Sequence, residues 1–454
     1  MTHPEKAGRA RSVEARTQEL GRRLYRLAKQ KHAHLSTLNR WTQQMLQWCL
    51  TDPALKSRVL RFVDVLPSLH SARSVVRHVR EYFPTHDLHL PPALRLGVSL
   101  SRTGLLTAPA LALIIRQMVE RISEQFIAGT TVEEAARLFE RMASEQMTVS
   151  LDVLGEQVVS EAEASNYSAL YVNLIRALSE TLKKREVSGD LSAHSSLIHV
   201  SLKPSAFTTH FDPLAFDLSL DRALERLSAV TAAAVEHGAL INLDTEQYEY
   251  RDLTLGLARR TLDWFGSDSP LRLGVVIQAY LRDAEEAARD FLEWLDANGR
   301  RVWVRLVKGA YWDHEVAKAL QHNWPVPVYQ EKPQTDASFE RLTEMLMQHP
   351  RIRLSVASHN VRSIARAMAL AEERGLGRHD LEFQFLFGMG ESIQRAVAQM
   401  GYPVRIYAPV GELIPGMAYL VRRILENTSN ESFLRQDLWE GVSVDTLLRP
   451  PQTA

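Results

Sequence analysis

Only one cysteine, Cys49, stands in the 454 residues. No internal disulfide and no thiolate-held metal cluster can form from it, and so little thiol suits a reducing compartment. An excess of either charge is missing as well: Lys+Arg and Asp+Glu each number 54, for a formal net charge of +0. With no basic surplus, no nucleic-acid partner is expected, and the locally basic start (Lys6, Arg9, Arg11, Arg16, Arg22, Arg23) reads as a solvated helix face. Long apolar runs are lacking too. Leu111-Ala-Leu-Ile-Ile115 is far shorter than the roughly 20 residues that cross a bilayer, and the amino terminus has no apolar signal core. The expected location is the cytoplasm, with a peripheral place at the inner membrane as the outer limit. Internal repeats and low-complexity tracts are absent, which excludes solenoids and arrays.

What is present is enough apolar residue, 45% hydrophobic against 24% charged, to bury a large core. Residues 1–146 read as helix throughout, with helices expected over 14–33, 34–50, 53–63, 72–82, 108–127 and 131–146. Thr131 followed by Glu133 and Glu134 has the form of a capped helix start. From 147 the rhythm changes. β-rich runs at 148–154, 198–202, 239–243, 273–277, 302–307, 352–356, 381–386 and 404–407 alternate with helical stretches at 161–183, 218–237, 248–265, 284–297, 338–348, 361–374 and 393–400. Strand followed by helix, repeated to eight strands, predicts an α/β protein: a (β/α)8 TIM barrel over 147–440, behind an all-helical region and ahead of a short tail, 441–454.

In such a barrel, chemistry belongs at the carboxyl ends of the strands. Those ends are polar here: Glu156, Lys203, Asp244, Gln278, Arg305 with Lys308, His359, Gln384 and Tyr407. Each alone is ordinary loop chemistry, whereas all eight together suggest a ligand. Lys203 and Asp244 follow neighbouring strands, so they are expected to pair, which would keep the lysine charged as an anion receptor. A late helix adds to this. Tyr419, Arg422, Arg423 and Glu426 recur at helical spacing opposite an apolar face of Met417, Leu420, Val421 and Ile424. Two adjacent guanidinium forks suit a small carboxylate, and Glu426, one turn on from Arg422, can hold that side chain. The bland reading of the same face is a solvated salt bridge.

Four stretches carry a resemblance: Val304-Arg-Leu-Val-Lys-Gly-Ala-Tyr-Trp-Asp313, Phe387-Gly-Met-Gly390, Arg405-Ile-Tyr-Ala-Pro-Val-Gly411, and the long Tyr419-to-Arg435 motif. They resemble proline dehydrogenase in the form found in bacterial bifunctional proline-utilisation flavoproteins. The resemblance implies a distorted barrel with FAD as cofactor. It implies hydride transfer from C5 of L-proline to flavin N5, giving 1-pyrroline-5-carboxylate on the way to glutamate. For the substrate it implies Lys203, Arg422 and Arg423 around the carboxylate, with Ala310, Tyr311, Leu386, Tyr407 and Tyr419 walling the ring and Asp244 orienting the cations. For the cofactor it implies Gln278, Arg305 (beside N5) and Lys308 on the flavin, Trp312 against the ring, Glu426 near the ribityl chain, Lys332 at the phosphates, and His359 and Gln384 toward the adenine. A quinone is the implied electron acceptor. Residues 441–454 hold no second catalytic domain, so the product is expected to pass to a 1-pyrroline-5-carboxylate dehydrogenase, on a separate polypeptide or on a part of the protein beyond residue 454.

Two positions depart from the family pattern. Tyr329-Gln-Glu-Lys-Pro333 keeps only Lys332 of the basic residues usual at the phosphates, and Phe387 stands where His or Tyr is common. Two other readings stay open at this stage: a Schiff-base enzyme using Lys203 or Lys308, and a helical scaffold with an inactive barrel.

Overall fold

The computed structural model describes residues 3–32, 57–59, 61–62, 65–83, 108–123, 126–154, 158–184, 198–411 and 443–452. Before the barrel come helices α1 (His3–His32), α2 (Ala72–Tyr82), α3 (Ala108–Ser123) and α4 (Val132–Ser144). The expected helix over 34–50 and most of that over 53–63 lie outside the described residues. Helix α4 starts as its sequence requires. Thr131 Oγ1 accepts from the Glu134 amide at 3.2 Å and Glu134 Oε2 accepts from the Thr131 amide at 3.3 Å, so two otherwise unpaired donors are satisfied.

The barrel is closed and wholly parallel, in the order β1 to β8. Its strands are β1 (Met147–Val153), β2 (His199–Leu202), β3 (Leu240–Leu243), β4 (Arg272–Gln278), β5 (Val302–Val307), β6 (Ile352–Ala357), β7 (Glu382–Leu386) and β8 (Val404–Val410). Between them run α5 (Glu161–Lys184), α6 (Phe216–His237), α7 (Arg251–Phe265), α8 (Ala284–Ala297), α9 (Trp312–His322), α10 (Lys332–Met347), α11 (Val361–Glu373) and α12 (Glu391–Gln399); α13 (Val444–Leu447) follows the barrel. Every expected strand is present. Strand β8 runs on through Pro409, opposite Asp152 of β1. Helix α9 was not foreseen. Helix α10 begins six residues earlier than expected because Pro333 falls in its first turn, where a missing amide hydrogen costs nothing.

Register fixes which side chains line the barrel. Asp152 pairs in register with Ser201, Ser201 with Asn242, and Asn242 with Gly274, while Arg305 pairs with Ser355 and Ser355 with Glu382. Side chains in one register row share a face. The opposite rows hold Val149, Leu151, Val200, Leu202, Ile241, Leu243, Val304, Leu306, Phe383 and Phe385, all buried against the helices.

Helix α1 lies along α11 and α12. Arg362 of α11, only 5% exposed, grips Glu14 of α1 through two nitrogens at 2.8 and 3.0 Å and Glu340 of α10 at 2.8 and 3.1 Å. It also donates to the Leu448 carbonyl at 2.6 Å, as does Gln18 at 2.5 Å, so α1 and the end of α13 are tied to the barrel wall at one guanidinium.

Candidate active site

Arg305, near the middle of β5, is 5% exposed and points into the barrel. Its Nε donates to Gln384 Oε1 at 2.6 Å, one terminal nitrogen to Asp244 Oδ1 at 2.6 Å, and the other to Ser201 Oγ at 3.0 Å. Partners on β7, β2 and just past β3 thus meet one guanidinium, which only the interior of a closed barrel permits. Asp244 is further held by Asn242 Nδ2 at 2.8 Å and by the Tyr407 hydroxyl at 2.9 Å, and the Arg305 guanidinium sits 5.0 Å from the Tyr407 ring centre.

Lys203, at the end of β2, corrects an expectation. It pairs with Asp152 of β1 at 2.6 Å and not with Asp244, whose carboxylate is taken up by Arg305, Asn242 and Tyr407. Burial by itself would push the ammonium toward neutrality. The Asp152 carboxylate outweighs it and holds Lys203 above the ordinary lysine range, so the lysine is a fixed cation and a poor nucleophile.

Gln278 ends β4 and is 3% exposed. Its Nε2 donates to the carbonyls of Thr245 and Glu246 at 3.0 and 3.2 Å, while its Oε1 is buried without a partner among the described residues. Glu246 accepts from Ser205 Oγ at 2.8 Å and from the Ser205 amide at 3.2 Å; burial still raises its pKa above the usual value.

After β5 the chain turns at Gly309, whose φ of 145° and whose contact with the Tyr280 ring leave no room for a Cβ. The turn places Ala310, Tyr311 and Trp312 at the mouth, and the Trp312 indole donates to the Tyr329 carbonyl at 2.9 Å. Lys308 and Lys332 share Asp336 of α10; the Lys332 contact is 2.6 Å. Burial works to raise the pKa of Asp336, but the two ammonium groups prevail and lower it. Lys332, expected to be a phosphate cation, is thus half of a paired cluster.

His359 follows β6. Its Nε2 accepts from the Leu386 amide at 3.2 Å and its ring meets Phe385 edge-on at 5.4 Å. Gln384 is 4% exposed in the barrel interior, where its Oε1 accepts from Arg305 Nε at 2.6 Å. Tyr419, Arg422, Arg423 and Glu426 lie outside the described residues.

Several residues here were not singled out from sequence: Asp152, Ser150, Ser201, Glu246, Asp336, Glu382 and Arg405. A signal existed for some of them. Thr148, Ser150 and Asp152 alternate with Val149, Leu151 and Val153, the pattern of a strand with one polar and one apolar face.

The comparisons agree with this geometry. The proline dehydrogenase family model matches residues 135–436, and that of the proline utilization A N-terminal domain matches 14–126. The "Bifunctional protein PutA" of Escherichia coli (strain K12) is 30% identical over 410 residues, covering 87% of this chain and 28% of that protein. The "Proline dehydrogenase" of Deinococcus radiodurans is 30% identical over 340 residues, covering 73% of this chain and 95% of that protein. Among solved structures, proline utilization A from Bdellovibrio bacteriovorus, inactivated by N-propargylglycine, superposes with a TM-score of 0.84 at 35% identity, covering 97% of this chain and 44% of that one. This chain therefore spans under a third of the E. coli relative and under half of the Bdellovibrio one. Among the described residues, no helix is long and apolar enough to cross a membrane.

Proposed function

Because the chain belongs to the proline dehydrogenase family, we propose that it oxidises L-proline to 1-pyrroline-5-carboxylate with FAD as resident cofactor. The observation that carries this reading is a closed barrel whose mouth holds a permanently charged lysine, Lys203, above a buried guanidinium, Arg305. An amino-acid carboxylate needs the first. A site where electron density accumulates needs the second.

The residues present suit a flavin dinucleotide. Gln278 offers a buried acceptor without a partner among the described residues, one strand from Arg305. Lys308 and Lys332, both paired with Asp336, bring cationic groups to the mouth for a dinucleotide, and Trp312 offers an aromatic face there. When bound, FAD supplies the acceptor for the two electrons and the hydrogen leaving C5 of the ring.

The chain's own groups do the rest. Lys203, with Arg422 and Arg423, binds the proline carboxylate and so fixes the ring. Asp152 keeps Lys203 protonated. Tyr407, its hydroxyl committed to Asp244, presents its ring as a wall, with Ala310, Tyr311, Leu386 and Tyr419 as the other sides. The substrate nitrogen must be unprotonated to release hydride from the adjacent carbon, so turnover rises with pH as proline loses its proton. No Schiff-base chemistry is called for, since a lysine paired with a buried carboxylate stays protonated. A quinone is the proposed final acceptor, and a 1-pyrroline-5-carboxylate dehydrogenase the proposed consumer of the product.

The test is direct. Purified protein should be yellow, and anaerobic L-proline should bleach it with 1-pyrroline-5-carboxylate formed one for one. Protein that binds FAD but keeps its colour under saturating proline would remove the assignment.

A further inference from the structure

A second buried charge pair lies beside Arg305 in the barrel interior. Arg405 of β8 is 1% exposed, and Glu382 of β7 accepts from its Nε at 3.1 Å on both oxygens and from its terminal nitrogen at 3.0 Å. Arg405 also donates to the Val149 carbonyl at 3.1 Å, and Ser355 Oγ donates to Glu382 at 3.1 Å. Burying such a pair is costly, and apolar side chains of the same volume are often as stable. Barrels of this class are ordinarily filled at this depth by branched apolar residues. The pair therefore calls for a role other than stability.

Gln384 lies between the pair and Arg305. An amide can turn either its oxygen or its nitrogen toward a neighbour, and the surrounding hydrogen bonds decide which. Facing the Arg305 Nε–H with its NH2 would set donor against donor. A carboxylate at 2.7 Å from Gln384 Nε2 forbids that, because an ionised Glu382 only accepts. The carboxylate draws the NH2 toward itself and leaves Oε1 for Arg305 at 2.6 Å. Arg405 keeps Glu382 ionised: burial would raise its pKa, but the guanidinium prevails and lowers it. With Nε fixed by Gln384 and a terminal nitrogen fixed by Asp244, the plane of the Arg305 guanidinium is determined.

We infer that Glu382, locked by Arg405, is a positioning residue: it fixes the Gln384 amide, and through it the plane in which Arg305 presents its charge. This rests on the role proposed for Arg305 above. The experiment is a double-mutant cycle on the FAD-loaded enzyme with Glu382→Gln, Arg305→Met and the double variant. It reads the flavin midpoint potential, the single-turnover bleaching rate and KM for proline.

Glu382→Gln should lower the potential and slow bleaching about tenfold, the worth of one charge-assisted hydrogen bond, with KM unchanged. Added to Arg305→Met it should change neither further. Wild-type potential and rate in Glu382→Gln, or a loss of full size in the Arg305→Met background, would overturn the inference. An Arg305→Met enzyme at wild-type potential would instead overturn the role of Arg305, and this inference with it. If Glu382→Gln does not fold, Gln384→Met carries the same test, since it removes both amide bonds and leaves the Glu382–Arg405 pair in place.

Discussion

On β7, Phe383 and Phe385 point outward, and the Phe383 ring meets Tyr402 edge-on at 5.5 Å; between and beside them Glu382 and Gln384 point inward to Arg405 and Arg305. The same alternation recurs on β1, β2 and β8. Outside, the barrel is an ordinary apolar core shared with its helices. Inside, among the described residues, three cations each face a carboxylate: Lys203 with Asp152, Arg305 with Asp244, and Arg405 with Glu382. Hydrophobic burial on the outer face is non-directional and tolerates substitutions of similar size. The inner face is directional, and leaving one member unpaired costs more than a well-matched apolar filling would. The contrast sets non-directional apolar burial on one face against directional charge pairing on the other.

The largest expected effect tests the outer face. Phe383→Ala should destabilise the fold by about 3–5 kcal/mol, the usual range for truncating a buried aromatic, while KM for proline in the protein that remains folded stays the same. Urea denaturation and steady-state kinetics on one preparation check both halves. A raised KM with unchanged stability would break the division between the faces.

On the inner face, Lys203→Met should lose a charge-assisted hydrogen bond of about 1.5–3 kcal/mol, or roughly 10- to 150-fold in proline affinity. Asp152→Asn sharpens the point. Without the carboxylate, burial acts on Lys203 against only the remaining pulls of Tyr167 and Asp244 and its pKa falls, so KM for proline should climb at alkaline pH, where the wild type stays flat. A flat profile in Asp152→Asn would mean that another group keeps the lysine charged.

The outer face was the legible one. Alternation of Val, Leu and Ile with polar residues marks a strand wherever it occurs, so the strands and their order could be read before any contact was known. The helix at Trp312 was hidden because Gly309-Ala-Tyr-Trp reads equally well as a loop, and Pro333 reads as a breaker when it is a first-turn residue. The expected run ended at Tyr407, whereas β8 continues through Pro409 to Val410, since a parallel strand uses only alternate amides toward a given neighbour. On the inner face the residue types could be read and the pairings could not. Lys203 has a carboxylate on each side, Asp152 from β1 and Asp244 past β3. The choice depends on Arg305 and Tyr407 reaching Asp244 from across the barrel, which no local pattern encodes.

The smallest effect comes from an inner-face group that takes no part in these pairs. His199 on β2 is 3% exposed, and both ring nitrogens are without a partner among the described residues. Burial, then the positive charges of Arg405 and Arg305, hold its pKa well below the usual histidine value, so it is neutral in the folded protein. In the unfolded chain it takes up a proton near pH ~6.5. Below that pH the unfolded state binds the extra proton, and stability must fall as pH falls, by at most about 1.4 kcal/mol per pH unit for one group. Above it neither state is protonated and the contribution vanishes. Melting temperature from pH 7.5 down to 5 should therefore drop less steeply in His199→Gln than in the wild type, the two curves running parallel above pH 7. Parallel curves across the whole range would show that His199 is protonated in the fold, and the interior would then hold a cation without a carboxylate.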